Sequence, residues 1–241
     1  MSDRDYEGHR SSKRSKKQKF GGELQLRDIE PKTDNQTKTF EAYGSGCNLL
    51  LHGAAGTGKT FLSCYIGIRD VLERRFQRLV IVRSIVPTRD IGFLPGTLQE
   101  KMQVYEAPYR EIFNELFGRG DAYDLLKKHG LIEFTSTSFV RGLTLDNAFV
   151  IIDEAQNLTD HEMRSVITRL GQESALVVSG DFAQNDLIAK KNEKEQSGIQ
   201  NMIKVARGMK SFAIIEFGLR DIVRSGFVRE YLIARMNAGL D

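Results

Sequence analysis

The sequence predicts an α/β fold in which helices flank a mostly parallel β-sheet. Six short apolar runs, rich in β-branched residues, are typical of strands buried on both faces, and they occupy residues 47–53, 78–83, 130–135, 148–154, 175–181 and 211–217. Segments with helical periodicity lie between or after them, at residues 59–74, 98–117, 159–170 and 221–236. Alternation of strands and helices favours crossover connections, and therefore a parallel sheet.

Composition is that of an ordinary globular protein, with 40% hydrophobic and 28% charged residues in a chain of 241. No apolar run approaches the length of a membrane span, and the N-terminus lacks the apolar core of a secretory signal. We therefore expect a cytoplasmic protein that does not enter the membrane. Two cysteines, Cys47 and Cys64, are too few for a disulfide framework and lack metal-ligand spacing, so both are expected to be reduced thiols.

The net charge of +3 is concentrated at the N-terminus. Residues 1–22 contain seven Lys or Arg but three Asp or Glu, and few large apolar side chains. This composition predicts a disordered basic tail at 1–22, followed by a single domain at 23–241. The tail either contacts a phosphate backbone or increases solubility, and its sequence is compatible with both functions.

A glycine-rich stretch, GAAGTGKT, matches the phosphate-binding pattern G-x-x-x-x-G-K-[ST] between a predicted strand and a predicted helix. Backbone N–H groups of such a loop surround phosphate oxygens, and the following helix contributes a partial positive charge. Lys59 is expected to reach the β- and γ-phosphates, and the Thr60 hydroxyl to bind Mg²⁺. The predicted nucleotide contacts are Gly53, Ala54, Ala55, Gly56, Thr57, Gly58, Lys59, Thr60 and Phe61.

Two further motifs follow apolar strands and carry the groups that hydrolysis needs. In FVIIDEAQN, Asp153 is expected to bind the hydrated Mg²⁺ and Glu154 to polarise the attacking water. A glutamate in this role favours ATP hydrolysis over the Gln-based chemistry of Ras-like GTPases or transfer to a kinase substrate. In GDFAQND, Gln184 is expected to contact the γ-phosphate or the water.

These motifs resemble known ATPases. DEAQ followed by GDxxQ is similar to superfamily 1 helicases, and residues 29–40 are similar to their adenine-reading element, which implies that Gln36 reads adenine and that ATP is preferred to GTP. A longer resemblance, from about residue 29 to 231, is to the PhoH-like ATPases. It rests on GAAGTGKT, GFLPG, RGLTLDNAFVIIDEAQN and RDIVRSGFVREYL. The resemblance implies a RecA-like P-loop core, ring-shaped oligomers and a link to RNA.

Helicases of superfamily 1 close the ATP site between two lobes, whereas the sequence here shows residues for one. We therefore expect a head-to-tail ring, a hexamer, in which a neighbouring copy supplies an arginine to the γ-phosphate. Arg224, on the predicted last helix and within the family's motif, is the first candidate. Arg220 and Arg169 are the alternatives.

The central channel of such a ring would accept a single strand. Superfamily 1 helicases place backbone-contacting residues after the second strand, and the residues there are Arg83, Ser84, Thr88 and Arg89. Arg141 is a further candidate, and Phe93 or Tyr105 could stack on bases. The leading hypothesis is an ATP-hydrolysing ring that translocates on, or remodels, RNA or single-stranded DNA. The alternative is an ATP-gated binding module or scaffold with slow turnover.

Overall fold

The computed structural model describes residues 24–85, 98–181 and 198–239. Several of the predictions fall elsewhere in the chain. The basic tail at 1–22 and the side chains of Thr88, Arg89, Phe93 and Gln184 lie outside the described residues.

Six strands form a single sheet in the described part of the chain. They are β1 (Asn48–Gly53), β2 (Arg78–Arg83), β3 (Ile132–Ser136), β4 (Ala148–Asp153), β5 (Ala175–Gly180) and β6 (Phe212–Phe217). Their order across the sheet is β3-β2-β4-β5-β1-β6, and each neighbouring pair is parallel. The predicted fold class, a parallel sheet in a P-loop α/β core, is confirmed.

The described helices are α1 (Asp34–Gly44), α2 (Lys59–Leu72), α3 (Leu98–Phe117), α4 (Ala122–Lys128), α5 (Asp160–Ile167), α6 (Gly198–Ala206) and α7 (Gly226–Asn237). Periodicity predicted α2, α3, α5 and α7, but the predicted start of α7 at residue 221 is wrong. Residues Leu219–Asp221 form a short 3₁₀ turn instead. The Asp221 carboxylate holds this turn by accepting hydrogen bonds from the Gly218 N–H at 2.9 Å and the Asn35 side-chain amide at 2.8 Å.

The sheet is covered on both faces, as its apolar strands require. Alternate residues of β1 face opposite sides, since Leu49 and Leu51 pack in one hydrophobic cluster and Leu50 in the other. Helices α1 to α4 cover the first face, and α5 and α6 cover the second. Because neighbouring strands are all parallel, their carboxyl ends meet at one edge of the sheet. The loops after β1, β4 and β5 lie close together at this edge.

Two other expectations concern the chain as a whole. Both Cys47 and Cys64 are free, and Cys64 is fully buried while Cys47 is partly exposed. Among the described residues, no helix combines the length and the apolar composition that crossing a membrane would require.

A candidate nucleotide site at the carboxyl edge of the sheet

The glycine-rich loop joins β1 to α2 and depends on a close backbone approach. Gly53 has a φ of +115°, and a Cβ at this position would lie 2.1 Å from the carbonyl oxygen of Phe217, at the end of β6. The Ala54 N–H donates to that same carbonyl at 2.8 Å. A side chain at Gly53 would therefore separate β6 from the start of the loop.

Replacing Gly53 with Ala is expected to lower the free energy of unfolding by about 2 to 4 kcal/mol, because a fixed backbone atom occupies the Cβ position and the φ is unfavourable. Gly44→Ala is the matched control, since a Cβ at Gly44 would meet no atom within 4 Å. Urea denaturation of both variants measures the difference. Equal stability of the two variants would contradict this account of the loop.

Lys59, the first residue of α2, has its ammonium group folded back into the loop. Only 5% of the side chain is exposed. The ammonium donates to the carbonyls of Gly53 at 3.2 Å and Ala54 at 2.7 Å and to the Thr57 hydroxyl at 3.3 Å. It also pairs with the Asp181 carboxylate, just after β5, at 2.8 Å. The ammonium has three N–H donors and four acceptors around it, so a phosphate oxygen would have to displace at least one of them.

Asp153, the last residue of β4, has a donor on each carboxylate oxygen. The Thr60 hydroxyl donates to Oδ1 at 3.0 Å, and the Tyr109 hydroxyl on α3 donates to Oδ2 at 2.6 Å. Asp153 is buried, with 3% of the side chain exposed. Burial, together with the negative charge of Asp153, raises the pKa of Tyr109 well above its usual value, so the phenol remains a protonated donor.

Thr60 and Asp153 form a pair of side chains that suits Mg²⁺. The described residues contain no group of three or more His, Cys, Asp or Glu side chains that could hold a metal ion. Mg²⁺ is usually held by one or two protein ligands together with phosphate oxygens, rather than by a protein cage. Thr60 and Asp153, placed together beside the phosphate loop, match that requirement.

Glu154 follows β4 in a left-handed backbone conformation, with a φ of +51°, which is uncommon for a residue other than glycine. Its carboxylate accepts a hydrogen bond from the Gln156 side chain at 2.6 Å. Burial and the adjacent charge of Asp153 raise the pKa of Glu154, and the positive charge of Arg83 opposes this shift. A carboxylate with a raised pKa is a stronger proton acceptor.

Gln156 connects the two acidic motifs. While its amide nitrogen donates to Glu154, its amide oxygen accepts the Asp181 N–H at 3.0 Å. One side chain thus ties the segment after β4 to the segment after β5, and Asp181 in turn pairs with Lys59.

A cavity of about 510 Å³ opens beside these groups, between the phosphate loop, α1, α3 and the segment before α7. Residues 56–61 line it, as do Gln36, Glu154 and Arg224. Of the other predicted contacts, Gly53 and Ala54 are buried at the start of the loop and Ala55 is exposed. The structure thus gathers most of the predicted nucleotide-binding residues around one volume.

Gln36 on α1 tethers that helix to the phosphate loop. Its amide nitrogen donates to the Thr57 carbonyl at 3.0 Å, and its amide oxygen accepts the Lys32 N–H at 2.8 Å. The amide group keeps a second N–H and a second oxygen lone pair, which are the donor and acceptor that reading adenine requires. The predicted adenine contact stays a prediction.

Arg224 lies between the 3₁₀ turn and α7, so its predicted location on a helix is wrong. Its side chain is next to the phosphate loop of its own chain, since a Cβ on Gly56 would lie 3.1 Å from the Arg224 Cγ. The neighbouring Val223 N–H donates to the Gly56 carbonyl at 3.1 Å. Arg224 therefore lines the cavity of its own chain, and the predicted contact across an interface stays a prediction.

The two alternative arginines lie elsewhere. Arg220 is exposed within the 3₁₀ turn. Arg169 follows α5, and its carbonyl accepts the Leu145 N–H ahead of β4, at the amino edge of the sheet. Neither is among the described residues that line the cavity.

The described nucleic-acid candidates differ in their accessibility. Arg83 lies over the Tyr105 ring, with 5.4 Å between its guanidinium carbon and the ring centroid. Ser84 is buried and its hydroxyl donates to Glu162 at 3.2 Å, and its predicted contact with a phosphate backbone stays a prediction. Arg141 is exposed in the loop after β3.

Sequence reasoning did not assign roles to three residues of the site. Asp181 directly follows β5 within GDFAQND, and Gln156 lies shortly after β4 within FVIIDEAQN, so their place after strands was a usable signal. Tyr109 had no comparable signal, because it lies in the middle of α3, 44 residues from Asp153 in the chain.

A family model described as PhoH-like protein matches residues 28–235 of the chain. The chain belongs to the PhoH-like family. It is 33% identical over 207 residues to a PhoH-like protein of Synechocystis and 34% identical over 209 residues to one of Bacillus subtilis. Each match covers 86% of this chain, and the matched parts are 62% and 64% of those relatives. The chain therefore spans less than two thirds of the length of these PhoH-like proteins.

Among solved structures, the chain is similar to the SWI2/SNF2 ATPase core of Sulfolobus solfataricus in complex with double-stranded DNA. The TM-score is 0.46 at 12% identity, and the match covers 90% of this chain and 60% of that one.

Proposed function

We propose that this PhoH-like chain hydrolyses ATP within a ring-shaped assembly. The energy of hydrolysis is used to translocate on, or to remodel, a single strand of RNA or DNA. One observation carries the hydrolytic part. Lys59, the Thr60–Asp153 pair and Glu154 converge at the carboxyl edge of the sheet, beside a cavity of about 510 Å³. Positive charge, metal ligands and a proton acceptor are the groups that phosphoanhydride hydrolysis requires.

Each side chain has a distinct role in this proposal. Lys59 binds the β- and γ-phosphates once it exchanges the Asp181 carboxylate for phosphate oxygens, and Thr60 and Asp153 hold Mg²⁺. Bound Mg²⁺ would supply neutralisation of charge on the phosphate oxygens. Glu154 orients a water and accepts its proton as the water oxygen bonds to the γ-phosphorus and the bond to the β–γ bridging oxygen breaks. Arg224 places a guanidinium at the same cavity.

Assembly and strand binding are supported by exposed surfaces. The helix α7, whose Leu232 packs on the loop at Gly56, exposes Phe227, Val228 and Tyr231, with 78% of Phe227 accessible. Apolar side chains clustered on a surface favour an interface, and this one adjoins the nucleotide cavity. The loop after β3 exposes Phe139 and Arg141, which combines a stacking surface with a cation for phosphate.

Single-stranded RNA is expected to stimulate steady-state ATP hydrolysis, and Arg141→Ala is expected to weaken that response. Loss of a phosphate contact weakens binding by a similar factor for all sequences and lowers the salt dependence of log K by about 1. Arg207→Ala is the control, because Arg207 is exposed ahead of the amino end of β6. A flat response of the wild type to RNA and single-stranded DNA would favour the ATP-gated binding module.

A further inference from the structure

Helix α3 contacts the site through a residue that is not itself part of a nucleotide-binding motif. Tyr109 is fully buried, and its hydroxyl donates to the Asp153 Oδ2 at 2.6 Å. The other oxygen of Asp153 accepts from Thr60. Two hydroxyl donors from different helices therefore fix both oxygens of the carboxylate that faces the phosphate loop.

The chemistry of the donor matters for a metal ligand. A hydrogen bond from a neutral phenol orients a carboxylate without cancelling its charge, whereas a lysine or arginine in the same place would compete with a cation. The ring of Tyr109 is itself held, since it packs against Phe134 of β3 with 5.5 Å between ring centroids. The hydroxyl is therefore positioned by the core rather than by solvent.

The same helix also borders the cavity and the end of β2. Pro108 and Ile112, on either side of Tyr109, line the cavity. One turn earlier, the ring of Tyr105 lies under the guanidinium of Arg83, the last residue of β2. A shift of α3 would therefore move the cavity wall and change the hydrogen bond to the Asp153 carboxylate at the same time.

We propose that Tyr109 is a positioning residue for Mg²⁺, which acts through Asp153 so that helix α3 sets the metal affinity of the nucleotide site. This inference rests on the proposed function, because it assumes that Asp153 takes part in binding Mg²⁺ with a nucleotide. Groups that orient metal ligands through hydrogen bonds usually affect metal affinity by about 10- to 100-fold.

Tyr109→Phe removes the hydroxyl and keeps the ring. In titrations of a fluorescent ADP analogue, the variant is expected to bind the nucleotide without Mg²⁺ within about twofold of the wild type, since Asp153 contacts the metal rather than the nucleotide. The Mg²⁺ concentration that gives half of the metal-dependent gain in affinity is expected to rise about 10- to 100-fold. Tyr123→Phe is the control, because it removes the hydroxyl of a second fully buried tyrosine, on α4.

Unchanged Mg²⁺ dependence in a folded Tyr109→Phe protein would overturn the inference, as would an equal loss of affinity with and without Mg²⁺. A second measurement keeps the hydroxyl at position 109 and so does not depend on the stability of Tyr109→Phe. With 3-fluorotyrosine at position 109, the ¹⁹F resonance is expected to shift when Mg²⁺ is added to the ADP complex, and no shift would also overturn it. A wild type that binds no ADP under either condition would instead refute the proposed function.

Discussion

Glu154→Gln is expected to reduce ATP turnover by about 10²- to 10⁴-fold while ATP affinity changes little, because an amide cannot accept the proton of the attacking water. The substitution preserves the size of the side chain and leaves an oxygen that can still accept the hydrogen bond from Gln156. Single-turnover hydrolysis at saturating Mg²⁺ and ATP measures the chemical step, and equilibrium titration of ATP measures binding.

Glu41→Gln provides the control, since Glu41 is exposed on α1, away from the cavity lining. Glutamate and glutamine have side chains of the same shape at the left-handed backbone of residue 154, so the substitution is expected to add little strain. Turnover that persists in Glu154→Gln would remove this residue from the mechanism. Parallel loss of binding and turnover would assign it to the binding of nucleotide instead.

Most of the fold was predictable because strands buried on both faces must be apolar throughout. Each of the six apolar runs became a strand whose ends differ from the prediction by two residues at most. Parallel strands bring their carboxyl ends to one edge, so motifs that directly follow strands meet in space. The hydrogen bond between Thr60 and Asp153, which are 93 residues apart, follows from this rule.

Other parts of the site depend on packing that the pattern of residues does not specify. The periodicity of α3 predicts a buried face, but whether the Tyr109 hydroxyl reaches Asp153 depends on the position of the helix over the sheet. The Ser84 hydroxyl similarly donates a hydrogen bond to Glu162. Glu162 also forms, with Thr159, the capping box at the N-terminus of α5. A hydroxyl after a strand predicts a phosphate contact, whereas in the structure this hydroxyl donates to a carboxylate on a helix that is distant in the sequence.

Arg224 shows how a local misassignment affects the expected location of a functional group. The prediction places Arg224 on a helix beginning at residue 221, from which the side chain could project to a neighbouring copy. The hydrogen bonds that Asp221 accepts from Gly218 and Asn35 hold residues 219–221 in a 3₁₀ turn, and the chain then passes over Gly56 before α7 begins. Arg224 consequently lies at the nucleotide cavity of its own chain.

Mixing Lys59→Ala chains with Arg224→Ala chains is therefore expected to restore no ATP hydrolysis. Each variant alone should be strongly impaired, and loss of an arginine that stabilises charge on the γ-phosphate costs about 10³- to 10⁵-fold. If both cations serve the site of their own chain, no chain in the mixture has both. If Arg224 acts across a head-to-tail interface, random mixing in equal amounts would complete about a quarter of the sites.

Native mass spectrometry must first show that mixed assemblies form, because chains that do not exchange would also give no recovery. Recovery towards a quarter of the wild-type rate would place Arg224 in the neighbouring site and overturn its role within the chain. Arg220→Ala, tested in the same way, extends the design to the other exposed candidate. If Arg220→Ala alone is inactive but recovers with Lys59→Ala, the ring supplies that arginine between copies while Arg224 serves its own chain. The pattern of recovery thus assigns each guanidinium to a chain without requiring a structure of the assembly.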